Sequence, residues 1–144
     1  MVATVIGLLL SAIFLWLSAI HVYWGLGGKW GADISVPTKE NNEKVMNPTS
    51  MHCFVVAIGL FTFAFFPLIK IQLISLTLPS LIQNYGFLVI SGIFLLRAIG
   101  EFKYVGFFKK IKLTPFGLVD TRYYSPLCLA IGIMGVILEL YTFL

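Results

Sequence analysis

A chain of 144 residues of which 59% are hydrophobic and only 11% charged is far more apolar than an ordinary soluble domain, where the shares are about 45–50% and about 25%. That excess excludes a single water-soluble core, and at ~20 residues per crossing it leaves room for four membrane spans with their loops. The net charge of +4 resides in loops beside apolar stretches, so it points to an anionic lipid surface and not to nucleic acid.

Span one is expected over about 2–26, since no side chain there is formally charged and a rise of ~1.5 Å per residue carries it across a ~30 Å hydrocarbon core. It has no basic leader and no small-residue cleavage motif, so it is expected to stay in the mature protein. Gly7, Ser11, Ser18, His21 and Gly25 recur at helical steps and share one face, where small residues let backbones approach in lipid. The glycine-rich exit over 25–31 lacks a phosphate-binding spacing and leaves a helix, so Trp24 and Trp30 read as interface anchors. A polar loop follows over 33–47.

Asn47-Pro48 predicts a cap and proline start for span two, over about 50–69, with His52 and Cys53 near its first turn. The apolar run 71–82 is broken by Pro79 and is too short to span, which makes it an interfacial or re-entrant connector. Span three is expected over about 85–104 and contains Arg97 and Glu101. After it, Tyr104, Phe107, Phe108 and Phe116 alternate with Lys109, Lys110 and Lys112; this loop lies on the headgroups or forms the lid of a lipid-entry cleft. Ser125-Pro126 repeats the cap-and-proline start for span four, over about 125–144, with Cys128, Gly132, Gly135 and Glu139 on one face. The expected fold is all-α: one polytopic membrane domain over 1–144, a four-transmembrane-helix bundle.

With four spans, the loops after spans one and three share a side. They hold Lys29, Lys39, Lys44, Lys103, Lys109, Lys110, Lys112 and Arg122, whereas the loop after span two offers only Lys70. The positive-inside rule then puts both termini outside and the two basic loops in the cytoplasm. Depth follows from the helical rise: His21 lies ~7 Å inside the cytoplasmic end of span one and His52 ~4 Å inside the start of span two. Arg97 and Glu101 fall in the cytoplasmic half of span three, and Asp120, Arg122, Tyr123 and Tyr124 where span four enters. Only Glu139 lies near the other face.

Ionisable residues inside a membrane are costly and are paired or functional. Arg97 and Glu101, four apart, either satisfy each other and orient the helix, or Arg97 holds an anionic ligand group with Glu101 fixing its geometry; Asp120 or His21 would complete the pair in either case. His21 and His52 suit hydrogen bonding within the bundle, acid–base chemistry or, as the minimum of two axial ligands, a haem; a zinc site would need more ligands. No CxxCH is present, and no cofactor or metal is expected. Cys53 and Cys128 form no CxxC and read as buried thiols, with a redox couple conceivable only if spans two and four touch there. Glu139 makes either a hydrogen bond near the outer interface or a proton-handling site.

Three motifs resemble a family of short four-span bacterial membrane proteins catalogued as a domain of unknown function, number 3995. They are His21-x-x-Trp24 with Gly27-Gly28-x-Trp30-Gly31, Arg97-Ala98-Ile99-Gly100 followed by 102–109, and Asp120-Thr121-x-Tyr123-Tyr124-Ser125-Pro126-Leu127-Cys128. The resemblance implies a bacterial inner-membrane location and brings no activity with it. The functional expectation is a polar pocket near the cytoplasmic leaflet that receives an amphiphilic, lipid-like ligand, with His21, Trp24, His52, Arg97, Glu101, Asp120, Arg122 and Tyr124 as binding candidates. The alternatives are a membrane enzyme using histidine and glutamate acid–base chemistry on a lipid or isoprenoid, without DDxxD, GxSxG or HExxH, and an accessory subunit of a larger membrane complex. Membrane lipids are the expected partners, with a homo-oligomer or a membrane-protein partner also open; transport would require an oligomer.

Overall fold

The computed structural model describes residues 1–143. Leu144, which ends the expected fourth span, lies outside them. Its elements in order are α1 (Val2–Gly25), α2 (Ser50–Lys70), α3 (Ser80–Ile99), α4 (Pro115–Val119), a π-helical turn (Asp120–Tyr124) and α5 (Ser125–Phe143). Four helical stretches are long and apolar enough to cross a membrane, the fourth being Pro115–Phe143 taken as one. The protein is an all-helical, membrane-embedded chain.

Helix boundaries depart from expectation where local chemistry decides them. Helix α2 starts at Ser50 because Thr49, extended at φ −86° and ψ 166°, is its N-cap, so Pro48 precedes the cap instead of opening the helix. Helix α3 is displaced toward the N-terminus: Pro79 precedes its first residue, and the connector shrinks to 71–79. It ends at Ile99 because Gly100, at φ 84° and ψ −177°, takes a backbone conformation that essentially only glycine tolerates. Residues 101–104 therefore belong to the loop. The fourth span begins at Pro115, ten residues before Ser125, and is capped by Thr114, whose Oγ1 accepts the Gly117 N–H at 3.0 Å.

Pro126 does not start this span but deforms it. It has no N–H for the Arg122 carbonyl and its ring crowds that position. The helix widens instead into a π turn, in which the Ser125 N–H donates to the Asp120 carbonyl.

The bundle is two antiparallel hairpins leaning on each other. In the first, the small-residue stripe of α1 seats α2: Gly7 faces the Ile71 side chain and the Pro67 carbonyl, Gly25 faces the Phe54 ring, and Ser18 Oγ donates to the Ala57 carbonyl at 2.8 Å. In the second, Gly132 faces Leu95 and Gly135 faces Ser91 and Phe87, so the α5 stripe packs α3 in the same way. Leu10, Phe14, Leu60, Ala64, Phe87, Ile90, Ile131 and Leu138 form the shared core, with the Phe14 ring 5.4 Å from Phe94 and 6.1 Å from Phe63. Between 22% and 28% of each span is buried, and side chains such as Trp16, Val55, Ile58, Val89, Leu96 and Leu140 face outward. Such an apolar exterior belongs in hydrocarbon, where all backbone polar groups are already satisfied within the helices.

This topology sorts the charges. Loops 26–49 and 100–114 share one end, which carries every basic residue except Lys70 and every acidic one except Glu139. The whole net charge of +4 therefore sits at one end, and the opposite end is neutral.

Candidate functional site

At the basic end a single carboxylate organises the chain. Asp120 is completely buried in the π turn. Its Oδ1 accepts from Arg97 Nη2 at 2.8 Å; its Oδ2 accepts from Lys109 Nζ at 2.8 Å, from the Gly106 N–H at 3.0 Å and from Ser125 Oγ at 3.0 Å. A carboxylate taken out of water needs this many donors, because each lone pair left empty costs free energy that nothing else returns.

Lys109 completes the arrangement from the loop. Its side chain is 0% exposed, and its three ammonium protons go to Asp120 Oδ2, to the Gly106 carbonyl at 3.0 Å and to Thr121 Oγ1 at 2.6 Å. The fit requires close backbone approach, which Gly100 and Gly106 supply. A Cβ on Gly100 would collide with the Val105 carbonyl and Gly106 Cα, and one on Gly106 with the Ile99 carbonyl and Gly100 Cα. Each glycine occupies the space the other's side chain would need, and the Phe107 N–H closes the turn onto the Ala98 carbonyl at 2.8 Å.

Arg97 is the open member. It comes from the last turn of α3, where a cation complements the helix dipole. Its side chain is 33% exposed, yet its second terminal nitrogen, Nη1, is buried and has no partner among the described residues. Two cations meet one carboxylate, so the cluster is positive by one charge and holds one unsatisfied donor group.

The expected Arg97–Glu101 pair does not form. Glu101 lies beyond the helix end, and its Oε1 accepts the backbone N–H groups of Tyr104 and, at 3.2 Å, Val105; Asp120 takes its place beside Arg97. The histidines are committed locally. His21 Nδ1 lies 2.8 Å from the Leu17 carbonyl, and its ring stands 5.1 Å from that of Trp24. Exposed His52 accepts the Thr49 N–H through Nδ1 at 3.2 Å, with Thr49 Oγ1 2.8 Å away, so it helps to start α2.

Trp24 Nε1 donates to the Trp30 carbonyl at 2.8 Å and shapes the glycine-rich exit. The Arg122 guanidinium lies 5.5 Å from the exposed Tyr123 ring, and the Tyr124 ring packs 6.1 Å from Phe116. Among the described residues, none of His21, Trp24, His52, Glu101 and Arg122 bonds to Arg97, Lys109 or Asp120, and no three His, Cys, Asp or Glu residues cluster as metal ligands would. Cys53 and Cys128 are free thiols.

Sequence reasoning placed Lys109 on the headgroups with Lys110 and Lys112, and missed Ser125 and Gly106 as partners of Asp120. Lys110 and Lys112 are exposed, as are Phe102, Phe108 and Leu113 around them. The signal for Lys109 was available in Asp120 itself, a carboxylate at a helix entry preceded by two glycines that fold the intervening loop back. Glu139 proves to be half of an ion pair with Lys70, at 2.6 Å.

A family model described as "Protein of unknown function (DUF3995)" matches residues 14–135, and the chain belongs to that family. The match takes in Arg97, Lys109, Asp120 and Ser125 and stops short of Glu139. No curated protein and no solved structure matches the chain.

Proposed function

We propose that this DUF3995 member is a multi-pass protein of the bacterial inner membrane that binds an amphiphile by its anionic head at the basic end, with Arg97 as the head-group ligand. The reading is carried by the one-third exposed Arg97 guanidinium, whose Nη1 has no partner among the described residues, within a cluster that has one positive charge in excess. An arginine whose other terminal nitrogen is locked to a carboxylate is a preorganised donor, and a phosphate or carboxylate oxygen satisfies what it lacks. Exposed Lys110 and Lys112 raise the local concentration of anionic heads, and the outward-facing Leu96 and Ile99 of α3 offer the tail a path along the helix.

With the termini outside and both basic loops in the cytoplasm, the ligand is drawn from the cytoplasmic leaflet. Binding is favoured over acid–base catalysis because, among the described residues, neither imidazole is hydrogen-bonded to a carboxylate that would orient it.

The test is native mass spectrometry of gently purified protein exposed to an anionic phospholipid. Arg97→Lys keeps a cation on Asp120 but deletes the second terminal nitrogen, and is expected to lower retention of the anionic lipid about tenfold, the worth of a charge-assisted hydrogen bond. Retention equal to that of the unmodified protein refutes the site.

A further inference from the structure

The opposite end of the bundle carries its own polar apparatus. Lys70, in the last turn of α2, donates to Glu139 Oε1 at 2.6 Å, with the two side chains only 15% and 9% exposed. This is the only bond Lys70 Nζ makes among the described residues, so two of its three protons remain free. Glu139 Oε2 is buried and has no partner among the described residues. A bare carboxylate oxygen at a membrane-helix seam is unfavourable by the same physics that gave Asp120 four donors.

Two cavities adjoin this pair. One of about 360 Å³ is of mixed character, with Lys70, Gln72, Gln83, Asn84 and Thr142 beside Phe66, Ile69 and Leu78. The other, of about 280 Å³, is apolar apart from Glu139 and Asn84, lined by Tyr85, Leu88, Val136 and Leu140. Lys70 lines the first and Glu139 the second, and Asn84 and Phe143 belong to both walls, so a half-polar chamber and an apolar one adjoin on either side of the ion pair.

We propose that this end is a second binding site, one that takes a zwitterionic phospholipid whose head ends in a primary ammonium. The ammonium donates to Glu139 Oε2, the phosphate accepts from the free protons of Lys70 and from the Gln72, Gln83 and Asn84 amides, and an acyl chain occupies the apolar chamber. Charge selects this occupant. The Lys70–Glu139 pair is neutral as a whole but strongly dipolar, so a head that is itself neutral and dipolar complements it, whereas a net anion gains nothing here that the basic end does not offer better. A quaternary ammonium has no N–H and leaves Oε2 as bare as before. The site is independent of the Arg97 proposal, since it lies at the other end and prefers a different head group.

The experiment reconstitutes the full chain in nanodiscs containing equal mole fractions of ethanolamine-, choline- and glycerol-headed phospholipids, and reads retained lipid by native mass spectrometry after extraction. Ethanolamine lipid is expected to be retained about tenfold over its choline counterpart, one charge-assisted hydrogen bond's worth. Glu139→Gln, which can still accept from Lys70 but carries no charge for the ammonium, is expected to abolish that preference. Leu88→Trp fills the apolar chamber, leaves both charges in place, and is expected to lower ethanolamine-lipid retention even if Glu139→Gln fails to fold. Equal retention of ethanolamine and choline heads, no retention of either, a preference that survives in Glu139→Gln, or undiminished ethanolamine-lipid retention in Leu88→Trp overturns the proposal. Retention of the glycerol-headed anion alone overturns it too, while leaving the Arg97 site standing.

Discussion

Replacing Asp120 by Asn tests the centre of the basic end, because the two cations it serves are buried to different degrees. Arg97 is 33% exposed and can turn part of its guanidinium to solvent; Lys109 is 0% exposed and cannot. In Asp120→Asn the Lys109 ammonium keeps the Gly106 carbonyl and Thr121 Oγ1 but loses its only counter-charge. Stranding a buried charge in this way costs about 3–5 kcal/mol. Lys109→Met is milder, about 1–3 kcal/mol, since Asp120 keeps Arg97, the Gly106 N–H and Ser125. The double variant Lys109→Met/Asp120→Asn removes both charges and should be at least ~2 kcal/mol more stable than the sum of the single losses. Denaturing-detergent titrations in mild micelles, followed by circular dichroism, measure all three. An Asp120→Asn loss under ~1 kcal/mol, or strict additivity in the double variant, would show that Lys109 is not held by Asp120 and would refute this account of the loop.

Other expectations follow from single contacts. Gly100→Ala must force a Cβ into the Val105 carbonyl at φ 84°, so it should destabilise the protein by about 1–3 kcal/mol and expose Lys109 to amine-reactive reagents; an unlabelled Lys109 in this variant would count against the glycine–glycine contact. Gly135→Leu pushes into Ser91 and Phe87 and should cost about 1–3 kcal/mol, whereas Gly92→Ala meets nothing within 4 Å and should be neutral or slightly stabilising in the same titration. His52→Ala removes the acceptor for the Thr49 N–H and should lower stability by about 0.5–1.5 kcal/mol without altering lipid retention. In a background lacking Cys53 and Cys128, a cysteine at exposed Lys110 should resist a membrane-impermeant maleimide in intact cells while one at Gln72 reacts; the reverse pattern would invert the proposed orientation.

What could be read from the chain was whatever local composition decides. Uncharged runs of membrane-spanning length, glycine and serine stripes at helical spacing and the lopsided lysines lead to four helices, their seams and the sorting of charge, and each seam is found where Gly7, Ser18, Gly132 and Gly135 put it. The boundaries were harder because two signals point the wrong way. Apolar character continues past Ile99 although Gly100 ends the helix, and Ser125-Pro126 looks like a start although the helix is already under way from Pro115. Partner choice was not legible from spacing. Arg97 and Glu101 stand four apart, but the spacing matters only if the helix reaches Glu101, and it does not. Asp120 wins because the fold returns it to Arg97 from 23 positions away.

The contrast between the two ends carries the functional argument further than either end alone. At the basic end Asp120 is saturated by four donors and Lys109 by three acceptors, so that part of the cluster is closed and serves to hold the loop and to aim Arg97. At the neutral end, among the described residues, Lys70 and Glu139 bond only to each other, and Glu139 Oε2 has no partner. A fold that needed this pair only as a strut would do as well with two apolar side chains, since buried ion pairs add little stability over hydrophobic isosteres. Lys70→Met/Glu139→Leu separates the alternatives: a strut predicts unchanged or higher stability in detergent with lipid selectivity untouched. A binding site predicts the same stability with the ethanolamine preference gone, because detergent unfolding does not involve the lipid that the pair recognises. Selectivity that survives the double replacement, whether stability holds or falls, would assign the pair to the fold and leave the adjoining cavities without a role.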